Sequence, residues 1–183
     1  MDKTAAVFVD NGYLSKVLKN QFGSAKINYE LFSENICKKC SRFRTYIYDC
    51  PPYQSQFPTP EERQRAQQAD KFFYSLNKLS RFEVRLGRLQ KSFIGGGYQQ
   101  KGVDVLLSVD LVTLSTSGKI DKAILVTADS DFVPAVRAAK EAKVLVEMYF
   151  CPAEPKSDEL FQICDDRFHI DAELVKSSLM NKK

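Results

Sequence analysis

Histidine is almost missing from the chain: one, His169, in 183 residues. Since histidine is the side chain whose ordinary pKa lies nearest neutrality, a hydrolase built on a histidine acid and base has no material here. His169 falls in a terminal extended segment and is read as structural. The glycine signatures that cradle phosphates are missing too, with neither GxxxxGK nor GxGxxG present. A haloacid-type phosphotransfer site would need a second Asp two residues after Asp10, where Gly12 stands. No apolar run approaches the roughly 18 residues of a membrane span, and the start "MDKTAAVFV" carries no basic leader, so neither export nor membrane insertion is expected. Repeats and low-complexity segments are also lacking.

Cysteine is present in an odd number, five, scattered at 37, 40, 50, 151 and 164 rather than set out as a disulfide framework. A reducing cytoplasm is the expected location. Cys37 and Cys40 have zinc-like spacing, but no second pair lies near and they fall within a helical pattern, so zinc is not expected.

The 44% of hydrophobic residues suffices for a core, and one domain over 1–183 is expected. Against 23 Asp and Glu stand 27 Lys and Arg, a net charge of +4 that favours a polyanionic partner without establishing one. Runs rich in β-branched and aromatic residues occur at 5–9, 43–49, 81–89, 122–127 and 144–150, with a sixth extended segment at 167–170. Helical patterns lie between them, at about 12–20, 29–40, 60–79, 102–116 and 132–142. This alternation predicts an α/β three-layer sandwich with a mostly parallel five- or six-stranded sheet, in the common Rossmann-like order 3-2-1-4-5. The Pro-rich stretch 50–62 and the glycine-rich stretch 95–102 are expected to be loops.

In right-handed β-helix-β units every strand C-terminus and following helix N-terminus shares one sheet edge. Asp10 ends the first strand, Asp104 opens the helix after the third, and Asp129 and Asp131 follow the fourth. All four therefore converge on the carboxyl edge. Each has an ordinary explanation when taken singly. Asp131 suits the N-cap of "FVPAVRAAKEA", Asp104 complements a helix dipole, and Asp10-Asn11-Gly12 is turn chemistry. Together they would repel one another unless a cation neutralised them, and oxygen-only ligands suit Mg²⁺ or Mn²⁺.

Asn11 and Ser130 adjoin these acids and are read as supporting them. Asp110 lies six residues beyond Asp104, about 9 Å down the helix, and is read as a supporting or buried polar residue rather than a ligand. In the third strand Phe82, Val84 and Leu86 are expected to face inward and Arg81 and Arg85 outward, with a bulge at Gly87 turning Arg88 and Lys91 toward the acids. Lys91, Lys101 and Arg88 are the expected phosphate contacts. Tyr53, Phe57 and Tyr98 are candidates for stacking on unpaired bases, Phe57 alternatively for anchoring its loop.

With these residues placed, "AVFVDNGYL" (5–14), "KGVDVLLSVDLV" (101–112), "ILVTADSDFVPAV" (124–136) and, more weakly, "ELFQICDDRFHID" (159–171) together resemble the NYN domain, in its LabA-like branch of the PIN-like nuclease superfamily. The resemblance implies a PIN-like fold and a metal-dependent ribonuclease. Its acids would be Asp10, Asp104, Asp129 and Asp131, with Asn11 in a companion position and Mg or Mn as cofactor. Single-stranded RNA is the expected substrate, and a homo-oligomer is left open. The competing expectation is a non-catalytic RNA-binding or regulatory domain that keeps the acidic site.

Overall fold

The computed structural model describes residues 3–38, 40–91 and 98–180. Strand β1 (Lys3–Asp10) runs without a break into helix α1 (Asn11–Gln21), followed by α2 (Tyr29–Ile36) and β2 (Cys40–Asp49). Next come α3 (Pro60–Asn77), β3 (Phe82–Leu86), β4 (Arg88–Lys91), β5 (Tyr98–Lys101) and α4 (Val103–Thr116). The chain then forms β6 (Lys122–Val126), a 3₁₀ turn (Ser130–Phe132), α5 (Val133–Glu141), β7 (Leu145–Phe150), α6 (Asp158–Ile163), β8 (Asp166–His169) and α7 (Ala172–Ser177).

Six strands form one parallel sheet in the order β3-β2-β1-β6-β7-β8. Apart from the β4–β5 hairpin, this is the expected order, and β1 and β6 are neighbours at its centre. The two sides of β1 carry two cores, because successive side chains on a strand point to opposite faces. Ala6 and Phe8 pack with α4, α5 and α6 through Leu107, Leu111, Val136 and Leu160. Ala5, Val7 and Val9 pack with α1, α2, α3 and α7 through Leu14, Phe32, Leu76 and Val175. A central strand buried on both faces reads as a continuous apolar run, which is what "AAVFV" is.

Three expectations are corrected. Gly87 is no bulge: it lies between β3 and β4, its N–H donating to the Asp49 carbonyl at 2.8 Å. Residues 98–101, expected as loop, form β5 against β4, while the triple glycine 95–97 lies outside the described residues. Helix α2 stops at Ile36, so Cys37 is its C-cap and Cys40 opens β2; burial pushes the Cys37 thiol up to about 12. Helix α3 starts at Pro60, as the helical pattern at about 60–79 has it, with Thr59 and Glu62 forming a reciprocal capping box and Pro60 in the first turn.

Candidate active site

Asp10 is the last residue of β1 and the N-cap of α1, its Oδ1 accepting the Tyr13 N–H at 3.0 Å. Strand parity sends it to the same side as Phe8, toward α4. Thr127, the buried residue just after the neighbouring β6, donates its hydroxyl to Asp10 Oδ2 at 3.2 Å. Two residues on, Asp129 caps the 3₁₀ turn by accepting the Asp131 N–H at 3.0 Å. Gly102, at φ +88°, holds a left-handed conformation that other residues resist, and so admits α4 with Asp104 in its first turn.

Asp10, Asp104, Asp129 and Ser130 line one open cleft of about 640 Å³. Burial pushes the Asp10 carboxyl above its ordinary range; the bonds from Tyr13 and Thr127 oppose this, and the charges of Asp104 and Asp129 add to it. Asp104 is raised by burial first, then by Asp129 and Asp131. The three carboxylates therefore sense one another, which is the electrostatic condition under which a cation is welcome. Among the described residues no three His, Cys, Asp or Glu side chains are gathered closely enough to hold an ion by themselves. A hard ion such as Mg²⁺ keeps several waters and is commonly held by one or two carboxylates together with substrate phosphate. The donor set is oxygen only and fits it.

Asp131 departs from expectation. It is not the N-cap of α5, whose cap position is Phe132 without a side-chain bond, and it is absent from the cleft lining; the cap of this segment is Asp129. The intervening 3₁₀ turn moves the acid to the exposed side, from where only its charge reaches Asp104.

The NYN domain family model matches residues 4–174, nearly the whole chain. The chain belongs to the NYN domain family. NYN domains lie in the PIN-like nuclease superfamily, generally act as nucleases on RNA, and typically use divalent metals. An uncharacterised protein of Methanocaldococcus jannaschii, MJ0482, is 35% identical over 108 residues, a match covering 52% of this chain and 43% of that relative. The chain thus aligns with less than half the length of that relative. In structure it is similar to VPA0982 of Vibrio parahaemolyticus, a protein of unknown function, with a TM-score of 0.65 at 20% identity over 98% of this chain and 97% of that one. The likeness extends to the fold.

Within this NYN chain Asn11 does not turn into the cleft. Its Nδ2 donates to Asp49 Oδ2 at 2.5 Å and its Oδ1 accepts the Tyr29 hydroxyl at 2.5 Å, on the α1–α2 side of the sheet. Asp49, at the end of β2, escaped the sequence reading although it too ends a strand; burial raises its carboxyl. Asp110 is engaged elsewhere, accepting the Tyr48 hydroxyl at 2.9 Å and pairing with Arg85 Nε at 3.3 Å, which accounts for a charge inside an apolar stripe.

Arg88 is exposed at the start of β4, paired across the hairpin with Lys101, and outside the cleft lining. Lys91 and Lys101 lie at opposite ends of the hairpin, and their side chains fall outside the described residues, as does that of Tyr98. Phe57 anchors nothing, standing 85% exposed. Two cations that the sequence reading missed do line the cleft, Lys16 of α1 and Lys156 before α6. Lys16 lies on the helix that Asp10 caps, whereas Lys156 reaches the cleft only through the packing of residues 151–157 against α1, which no local pattern marks. His169 sits in β8 with its ring edge-on to Phe150 at 5.2 Å, a packing role. Among the described residues no helix is long and apolar enough to cross a membrane.

Proposed function

We propose that this NYN domain, spanning 1–183 and of the LabA-like branch, is a metal-dependent ribonuclease that hydrolyses phosphodiester bonds of single-stranded RNA in the cytoplasm. The observation that carries the reading is the meeting of Asp10, Asp104 and Asp129 in one open cleft at the β1–β6 seam, where switch-point sites of parallel sheets lie. Bound there, Mg²⁺ or Mn²⁺ would activate the attacking water and stabilise charge on the phosphate and leaving oxygen. Asp10, Asp104 and Asp129 would hold it partly through its waters and together with substrate phosphate. Asp131 adds negative charge from the rim, and Thr127 orients Asp10 by donating to Oδ2. Ser130 offers a hydroxyl at the cleft wall. Lys91, Lys101 and Arg88 serve as phosphate contacts along the hairpin that leads directly into Gly102 and Asp104.

The test is cleavage of end-labelled single-stranded RNA by purified protein with Mg²⁺, with Mn²⁺ and with EDTA, alongside Asp10→Asn. Metal-dependent cleavage lost in the variant is the expected result. Equal RNA binding by wild type and variant, with no cleavage under any metal, would instead establish the non-catalytic reading.

A further inference from the structure

Residues 151–157, of which Pro155, Lys156 and Ser157 line the acidic cleft, are pinned to the rest of the fold along their length. The Cys151 N–H donates to the Tyr13 hydroxyl at 2.9 Å, and the Ser157 N–H donates to the Ala128 carbonyl at 2.9 Å. Between them Glu154, only 7% exposed, turns its carboxylate onto α1. Its Oε1 accepts Asn20 Nδ2 at 3.0 Å and Gln21 Nε2 at 2.9 Å, and its Oε2 pairs with Lys16 Nζ at 3.3 Å. Tyr13, Lys16, Asn20 and Gln21 are spaced i, i+3, i+7, i+8, so one stripe of α1 makes the contacts to Cys151 and Glu154. Bonds from Gln21 and Asn20, and then Lys16, hold the Glu154 carboxyl below its usual range. A carboxylate this enclosed and this fully partnered is a fixed strut.

Two ammonium groups line the cleft beside it, one on the strut itself and one two residues along the pinned segment. Lys16, its side chain 57% exposed, is anchored by Glu154 and still lines the cleft. Lys156 is oriented by Asp158 at 2.6 Å and by the Phe161 ring, whose centroid lies 4.4 Å from Nζ. Phe161 is itself fixed edge-on against Phe150 at 5.5 Å. Each ammonium has three donors, so a carboxylate partner aims it without exhausting it. Cations ordered in advance lose less side-chain entropy when an anion arrives.

We propose that Lys16 and Lys156 form a phosphate-binding wall facing the acids, and that Glu154 is the positioning residue that holds this wall in place. A single RNA strand then lies between the two walls, with its phosphates on the lysines and the bond to be cut toward Asp10, Asp104 and Asp129. This rests on reading the cleft as an RNA site, and its test is therefore made without cleavage.

Binding of a fluorescent single-stranded RNA 12-mer is measured in EDTA at several salt concentrations. For single strands each lost phosphate contact lowers the log–log salt slope by about 0.7, which at 0.1 M salt is about a fivefold loss of affinity. Lys16→Ala and Lys156→Ala should each show it, the double variant about twice that slope change, and Lys71→Ala on α3 should show none. Glu154→Ala should also lower the slope, whereas Glu154→Gln, which keeps the oxygen that accepts from Asn20 and Gln21 but loses the pairing with Lys16, should hold the segment and lower the slope by no more than Lys16→Ala does. Unchanged slopes in the lysine variants, or an equal change in Lys71→Ala, would overturn the wall. A Glu154→Ala protein that melts lower but keeps the wild-type slope would reduce Glu154 to a structural residue and overturn its positioning role. Lowered slopes with no metal-dependent cleavage by wild type would retain the wall and reject the nuclease; intact cleavage with unchanged slopes would do the reverse.

Discussion

Thr127 donates its hydroxyl to Asp10 at 3.2 Å, tying the ends of the two central strands into one acidic site. The bond is half-buried and opposes the upward push that burial exerts on Asp10. Thr127→Val keeps the shape and deletes the donor. It should cost about 1 kcal/mol of stability. It should also weaken the rise in melting temperature that Mg²⁺ or Mn²⁺ produces, because Asp10 loses its orientation and holds its proton to higher pH. Melts of both proteins with and without metal check it.

Asp10 and Asp104 have folded pKa values raised above the ordinary 3.8, so the folded chain binds their protons more tightly than the unfolded chain. Their contribution to metal-free stability is therefore present at low pH and declines as pH rises from 3.8 through the raised values. Asp10→Asn removes part of that decline. The melting temperature of the variant minus that of wild type, measured in EDTA, should grow more positive across this window. A flat difference would mean that neither the burial of Asp10 nor the neighbouring acids raise its carboxyl.

Asp129 both faces the cleft and caps the 3₁₀ turn, and its two roles separate by substitution. Asp129→Asn keeps the capping oxygen and loses the charge, so metal-induced stabilisation and cleavage should vanish with the metal-free melting temperature nearly unchanged. Asp129→Ala should lose about 1 kcal/mol besides. Asp131→Ala should stay within about 0.5 kcal/mol of wild type, since position 131 supplies no cap.

The Tyr48, Asp110 and Arg85 cluster stands apart from the acids of the cleft. Tyr48→Phe should cost about 1 kcal/mol in urea unfolding and leave metal-dependent cleavage unaltered. A large loss of cleavage in a folded variant would return Asp110 to the reaction.

Much of the site was legible because it depends on local pattern and chain direction. The apolar runs that end in Asp10 and "TAD" mark buried strands, and the handedness of β-helix-β connections delivers their ends to one edge. Asp104 follows from the same rule. Asp131 did not behave as expected because one 3₁₀ turn inserted before α5 moves the cap back to Asp129, a shift of two residues that helix periodicity does not encode.

Asp10 and Asp49 mark the boundary between what sequence alone determined and what tertiary structure decided. Each ends a strand of the same parallel pair, and the sequence places both at the carboxyl edge. Only the register, with Asp10 opposite Tyr48, shows that Asp49 stands one residue further on and so faces the other side, where it binds Asn11. The sequence determined the alternating elements, the sheet order and the edge that gathers the acids, since these follow from periodicities of two and 3.6 residues and from connection handedness. Tertiary structure decided which acids share a cleft and brought Lys16 and Lys156 to face them. Side-chain parity across strands and the docking of residues 151–157 on α1 join positions more than 130 residues apart, and no local pattern records such contacts.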